Sequence, residues 1–337
     1  MRKSFRHYFR PTETELREVW EHGLFSFDAS VLLNVYGYSH ETREELVTFL
    51  ENNVTRVRLP YQFGVEYSRN RCKTIIKQVR NYREVEENLV RIKKDYISPQ
   101  RDHPYLSNDA LNAYNFVLEE LGESRSAMEK LIGSDDYCER LLKVFEGNVG
   151  AKPSSESLEQ MHKEAKERYE KQIPPGYLDL KKKDVPDAYG DYIAWQQLIH
   201  IAQSEKKGLV LVTDDFKGDW WYLEGDRELG PRPELLEEFA TQCGQDFCLY
   251  TSENFLRSAK KFMAADIRDH VIEEVSQRLA SQRETTRTTD LKLSPPELGV
   301  EKQVENTRSD GDVTEGLKSA APGTTASDSG KLRPEDQ

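Results

Sequence analysis

Acidic residues stand at four places in this chain where carboxylates could act together. Asp28 ends the apolar run Leu24-Phe25-Ser26-Phe27, and Glu66 lies in Gly64-Val65-Glu66-Tyr67. Asp191 lies in Tyr189-Gly190-Asp191-Tyr192, and Asp214, Asp215 and Asp219 follow the apolar run Leu209-Val210-Leu211-Val212. Two unit charges about 4 Å apart repel by roughly 4 kcal/mol at an effective dielectric near 20. Gathered carboxylates are therefore unfavourable unless they are protonated or bound to metal. Mg²⁺ and Mn²⁺ suit carboxylate oxygens and keep waters. One or two such ions can activate a water, orient a phosphodiester and stabilise a departing oxyanion. That chemistry requires no His, Ser or Cys nucleophile.

Each acid also has a plainer reading. Asp28 and Asp191 could simply cap the helices that follow them. Glu66 could be a solvated charge or could pair with Arg69 one helical turn on. Asp214 or Asp215 could form an Asx turn after the strand. It is the order and placement of all four segments that raise the joint case.

The elements that must position these acids follow from periodicity. Residues 12–20 read as a helix, 24–27 as a buried strand, 41–52 as an amphipathic helix and 55–59 as a short strand ended by Pro60. A helix begins at Gln62 and carries Glu66. Ile75, Ile76, Val79, Tyr82, Val85, Leu89 and Ile92 then recur at helical spacing, and residues 70–171 are expected to form a helical insertion with loops at 98–107 and 147–157. Lys181 to Asp184 is a polar loop. Further on come a helix over 191–203, a buried strand over 209–212, a helix over 233–243, a strand over 246–250 and a helix over 252–262. Ile267, Val271, Val275 and Leu279 at four-residue steps extend a last helix over 263–280, and residues 281–337 have the composition of a disordered tail. Strands alternating with helices imply an α/β fold, a three-layer α/β/α sandwich with a mainly parallel central sheet. Sites in such sheets lie beyond the carboxyl ends of the strands. Asp28 and the Asp214–Asp219 group are thereby placed on one edge.

The 337 residues carry a formal net charge of −12, which argues against indiscriminate nucleic-acid binding. A local basic track nevertheless runs from Arg69 through Lys73, Lys77 and Arg80, where it could contact phosphates without choosing sequence. Trp195, Trp220, Trp221 and Tyr222 read as packing aromatics. No apolar run is long enough for a membrane span, and the basic N-terminus lacks the apolar stretch of a secretory signal. Cys72, Cys138, Cys243 and Cys248 form no metal-binding spacing and are expected to be reduced thiols in a cytoplasmic protein.

Taken together, Phe27-Asp28-Ala29-Ser30, Leu59-Pro60-Tyr61-Gln62-Phe63-Gly64-Val65-Glu66-Tyr67, Pro174-Pro175-Gly176-Tyr177, Tyr189-Gly190-Asp191, Val212-Thr213-Asp214-Asp215, Asp219-Trp220-Trp221 and Gly230-Pro231-Arg232-Pro233-Glu234 resemble the PIN domain nucleases. The likeness is to the large bacterial PIN-like group with a long helical insertion. It implies a nuclease domain made of residues 1–69 and 172–262, interrupted by the 70–171 insertion. It also implies a Mg²⁺- or Mn²⁺-dependent endonuclease, acting on RNA more readily than DNA, in a toxin or anti-phage defence setting. A homo-oligomer or a regulatory protein partner is compatible with it. Carried over, Asp28, Glu66 and Asp191 look like metal ligands or their supports. Asp215 matches the Thr-x-Asp placement, Asp214 competes with it, and Asp219 is an outer acid. The alternative is a catalytically silent PIN-like module that binds nucleic acid or protein. The insertion departs from minimal PIN domains, so their substrates do not transfer.

Overall fold

Four-residue runs, too short to make helices, build the sheet. The computed structural model describes residues 1–2, 5–97, 106–181, 183–225 and 227–293. The chain opens with α1 (Glu13–His22), β1 (Leu24–Phe27), α2 (Ala29–Asn34) and α3 (His40–Asn52). Four helices follow: α4 (Tyr61–Tyr96), α5 (Asn108–Lys130), α6 (Asp136–Phe145) and α7 (Ser155–Glu170). After them come α8 (Gly190–Glu205), β2 (Leu209–Val212), β3 (Trp221–Glu224) and β4 (Arg227–Pro231). The chain ends with α9 (Pro233–Cys243), β5 (Phe247–Tyr250), α10 (Ser252–Met263) and α11 (Asp269–Leu293). Met1–Leu291 form one compact unit. Residues 294–337, on which most of the expected disordered tail falls, lie outside the described residues, as does much of the loop expected at 98–107.

The fold is mostly helical around a parallel three-stranded sheet of order β1-β2-β5. Every residue of β1 and β2 is buried, as befits strands covered on both faces. On one face Phe25 and Phe27 meet Phe255 of α10 edge-on, at 5.6 and 5.2 Å between ring centroids, and Trp20 of α1 joins them. On the other, Phe247 packs 5.1 Å from both Trp195 of α8 and Phe239 of α9.

The strand expected over 55–59 is instead two isolated parallel bridges, Phe25 to Val57 and Leu59 to Val149. Arg58 N donates to Phe25 O at 2.8 Å, and Gly150 N to Leu59 O at 2.8 Å. The segment widens the sheet edge, but Pro60 has no N–H to donate and α4 follows at once, so no ladder grows. The β3–β4 hairpin was not expected. Its signal in the sequence is the dipeptide Gly225-Asp226, and Gly225 stands at φ +58°.

In α4 one continuous helix carries both Glu66 and the arm. Within the arm, α5 returns antiparallel, with Arg125 on Glu86 at 3.0 Å and Arg83 on Glu129 at 3.3 Å. Ile75 and Val79 are fully in the core, whereas Val85 and Ile92 stay 46% and 44% exposed. A two-helix hairpin covers only one side of that apolar stripe, so the periodicity continues where the burial does not. The root of the insertion is not separate from the rest: Met128, Leu141, Phe145 and Tyr169 belong to the same continuous core as the sheet.

The last helix passes the point where the sequence reading ended it, at residue 280. Polar residues just beyond it are anchored by side chains. Gln282 donates to Asn34 at 3.0 Å, and Arg283 pairs with Glu228 at 2.9 Å while lying 3.9 Å from the Phe216 ring centroid.

Candidate active site

Asp28 follows β1 and is the N-cap of α2. Its Oδ2 accepts from Ser30 Oγ at 2.8 Å and from Thr213 Oγ1 at 2.7 Å. Asp28 thus caps α2 and bonds the segment after β2 with the same side chain. Asp28 N donates to Val212 O at 2.9 Å, which extends the ladder and brings the ends of β1 and β2 side by side.

The two acids after β2 diverge. Asp214 turns into the protein, where its oxygens accept from Ser252 N at 2.9 Å, Ser252 Oγ at 2.8 Å and Asn34 Nδ2 at 2.8 Å. It ties the loop after β2 to the segments after β1 and β5. Asp215 turns the other way, with Oδ2 2.7 Å from Lys217 Nζ. Its carbonyl accepts from the Trp221 indole at 2.7 Å.

Asp191 lies in the first turn of α8, where the helix N-terminus favours negative charge. Its Oδ2 is 3.3 Å from the Trp220 indole nitrogen, which donates to it, and 3.6 Å from Lys217 Nζ. Glu66, in the second turn of α4, accepts from Gln62 at 2.7 Å and leaves Arg69 to an exposed contact with Asp187 at 3.7 Å. Two glycines make the close approaches possible. A Cβ on Gly190 would lie 2.8 Å from Glu66 Oε1. One on Gly176, at φ +92°, would lie 2.8 Å from the Asp191 Cβ and 2.2 Å from the Tyr169 hydroxyl oxygen. Asp219 is fully buried and accepts from Gly176 N and Leu178 N, both at 3.0 Å, which fastens that loop against the acids.

Lys217 and Asp179 went unrecognised in the sequence. Asp179 is buried in the turn Tyr177–Lys181, with Lys183 Nζ and Lys217 Nζ each at 2.5 Å. The signals were present: Lys217 stands two residues from both Asp215 and Asp219, and Asp179 four residues before Lys183. Of the four aromatics read as packing residues, Trp195, Trp220 and Trp221 are buried, and two of their indoles also hold the site, while Tyr222 is exposed.

The charges are strained against one another. Burial raises the carboxyl pKa values of Asp28, Asp191 and Asp215. Repulsion adds to this, Asp191 acting on Asp28 and Asp28 on Asp215, while Thr213 relieves Asp28 and Lys217 relieves the other two. Glu66 is pushed up to about 7, first by burial and then by Asp28 and Asp191. Asp219 is pushed up to about 6, again mainly by burial. For Asp179 burial also acts upward, but Lys217 and Lys183 outweigh it and hold the carboxyl below its usual range. Lys217 is raised, because three carboxylates outweigh its own burial.

The basic track leaves this cleft along α4. At 3.6 residues per turn, Arg69, Lys73, Lys77 and Arg80 all lie within about 60° of Glu66 around the helix. All four are exposed, and Lys73, Lys77 and Arg80 make no ion pair among the described residues.

The donor set suits a hard cation. Glu66 Oε2 and Asp191 Oδ1 have no hydrogen-bond partner among the described residues, and side-chain exposures of 15% at Asp191 and 24% at Asp215 leave the cleft open. Among the described residues, no three Asp, Glu, His or Cys side chains stand ready-made as a metal-holding group. Magnesium does not require one, since it is commonly held by one or two carboxylates and several waters.

Comparison with known proteins gives one family. No curated protein and no solved structure matches the chain. A family model described as a PIN like domain matches residues 24–235, which take in β1, the whole helical arm, the acidic cleft and the start of α9. The chain therefore belongs to the PIN-like domain family.

Proposed function

We propose that this protein is a metal-dependent endonuclease that hydrolyses phosphodiester bonds, RNA before DNA. The observation that carries this reading is the meeting of Asp28, Glu66, Asp191 and Asp215, from four separate segments, in one half-open cleft where each has its pKa raised by at least one of the others. A fold does not keep such repulsion for stability alone, and carboxylate clusters of this kind are the usual holders of divalent cations.

In this reading Asp28, Glu66, Asp191 and Asp215 line the site that takes Mg²⁺ or Mn²⁺. The bound ion would supply an activated water and charge stabilisation at phosphorus. Thr213 and Ser30 fix the rotamer of Asp28. The Trp220 indole fixes Asp191, and Gln62 fixes Glu66. Asp214 and Asp219 take supporting roles, since both are spent on holding loops. Arg69, Lys73, Lys77 and Arg80 would carry the strand's phosphates along α4. A flexible single strand lies along such a track with less distortion than a duplex, which favours a single-stranded substrate.

The test is cleavage of labelled single-stranded RNA, structured RNA and single-stranded DNA in Mn²⁺, Mg²⁺ or EDTA. The expected result is metal-dependent cleavage with RNA preferred. Preference for DNA would overturn the substrate assignment alone. A catalytically silent binding module is the second reading, favoured by the Lys217 ammonium already set among the acids. It entails no rise in melting temperature on adding Mn²⁺.

A further inference from the structure

Lys217 brings a fixed positive charge into the acidic cleft. Its Nζ lies 2.5 Å from Asp179 Oδ1, 2.7 Å from Asp215 Oδ2 and 3.6 Å from Asp191 Oδ2. These acids come from three segments: the turn Tyr177–Lys181, the first turn of α8 and the loop after β2. The side chain is only 20% exposed, so its charge is poorly screened by solvent. Its position is not free to drift. Lys217 N donates to Asp215 Oδ1 at 3.2 Å, and the Lys217 carbonyl accepts from Trp220 N at 3.1 Å and Trp221 N at 3.2 Å. Asp179 is in turn pinned by Lys183 on its other oxygen. Asp28 and Glu66, by contrast, receive only neutral hydrogen-bond donors from the side chains of the described residues.

The cleft therefore has two unequal halves. One half, Asp179, Asp215 and one oxygen of Asp191, contacts the Lys217 ammonium. The other half, Asp28, Glu66 and the other oxygen of Asp191, contacts no ammonium among the described residues, since Lys183, which acts on Glu66 and Asp191 from a distance, is held on Asp179. We infer that Lys217 is a resident cation that takes the place of a second metal, so that the cleft binds a single divalent ion on its Asp28–Glu66–Asp191 side. This inference rests on the metal-dependent reading above and specifies it. Lys217 is a positioning residue: it sets how many ions the acids accept and keeps Asp215 and Asp179 together while no ion is bound.

The experiment counts Mn²⁺ bound per chain by electron paramagnetic resonance. It uses wild type, Lys217→Met and Lys217→Arg, with melting temperatures in EDTA and in excess Mn²⁺. Wild type and Lys217→Arg should bind one ion. Lys217→Met should melt several degrees lower in EDTA, because it leaves buried carboxylates without a counter-charge. In Mn²⁺ it should recover most of that loss and bind a second ion. Two ions on wild type would overturn the inference and leave the metal-dependent reading standing. No ion on wild type would overturn both. Should Lys217→Met prove too unstable to purify, the wild-type count still decides.

Discussion

Single residues show where folding and function pull against each other, and Glu66 shows it most plainly. Its carboxyl titrates at about 7 in the folded chain against an ordinary 4.5. Between those values the folded state still holds a proton that the unfolded chain has released. Stability therefore falls as pH rises from about 4.5 to about 7, and stays at the lower level above that. The full change is about 3 kcal/mol. In EDTA, Glu66→Gln should melt above wild type at pH 8 and approach it near pH 4, below the ordinary carboxyl value. A variant that melts no higher than wild type at pH 8 would show that Glu66 carries no such repulsion. Gly176→Ala tests the packing around Asp191. It places a methyl group against the Tyr169 hydroxyl and the Asp191 Cβ in a left-handed backbone. A loss of about 2 kcal/mol or more is expected in urea unfolding, and an unchanged midpoint would contradict the close approach. At this scale the sequence was legible in its acids and silent on their partners. Asp28, Glu66, Asp191 and Asp215 were readable because each sits beside a strand end or helix start. Lys217 and Asp179 stand beside other charges in the sequence, but that they pair with each other was not readable, because an ion pair across 38 positions leaves no period. Asp214 and Asp215 are neighbours of the same type, and only the contacts with Ser252, Asn34 and Lys217 separate the one that ties loops from the one that faces the cleft.

Elements decide what surrounds the cleft. Helix α4 is both a wall of the cleft and the root of the arm, so Glu66 and the basic face share one rigid body. Lys73 lies about 10 Å along the axis from Glu66, and Arg80 about 21 Å. Replacing Lys73, Lys77 and Arg80 with Gln should weaken binding of single-stranded RNA and reduce the slope of log K against log salt by about 2, since each contact contributes about 0.7. An unchanged slope would remove this face from the binding surface. Helix α11 reaches the cleft from the opposite direction in the chain. Gln282 holds Asn34, which holds Asp214, and Arg283 covers Phe216 beside Asp215. Composition hid this contact, because Ser281-Gln282-Arg283 reads as the start of a polar tail. The short pairing at 55–59 was misread in the opposite sense. Its alternation is that of a strand, yet the turn into α4 at Pro60 leaves room only for isolated bridges.

For the whole molecule, the acidic cleft and the basic arm make sense only together. A chain with net charge −12 repels a polyanion over most of its surface, so the exposed track on α4 is where a nucleic acid would be steered. The parallel sheet and its helices on both faces were legible because buried strands are short and apolar. The extent of the common core was not, because Tyr137, Phe145 and Tyr169 of the insertion join it through contacts far apart in sequence. No helix among the described residues is long and apolar enough to cross a membrane. The proposed metal-dependent hydrolysis is tested by single-turnover cleavage of single-stranded RNA in Mn²⁺, comparing wild type with Asp28→Asn. Asn keeps an acceptor for Ser30 and Thr213 and removes a repelled buried charge, so the variant should melt no lower than wild type in EDTA. Its cleavage rate is expected to fall by at least about a hundredfold, with EDTA abolishing wild-type cleavage. Cleavage by well-folded Asp28→Asn at the wild-type rate, or wild-type cleavage that persists in EDTA, would contradict the account.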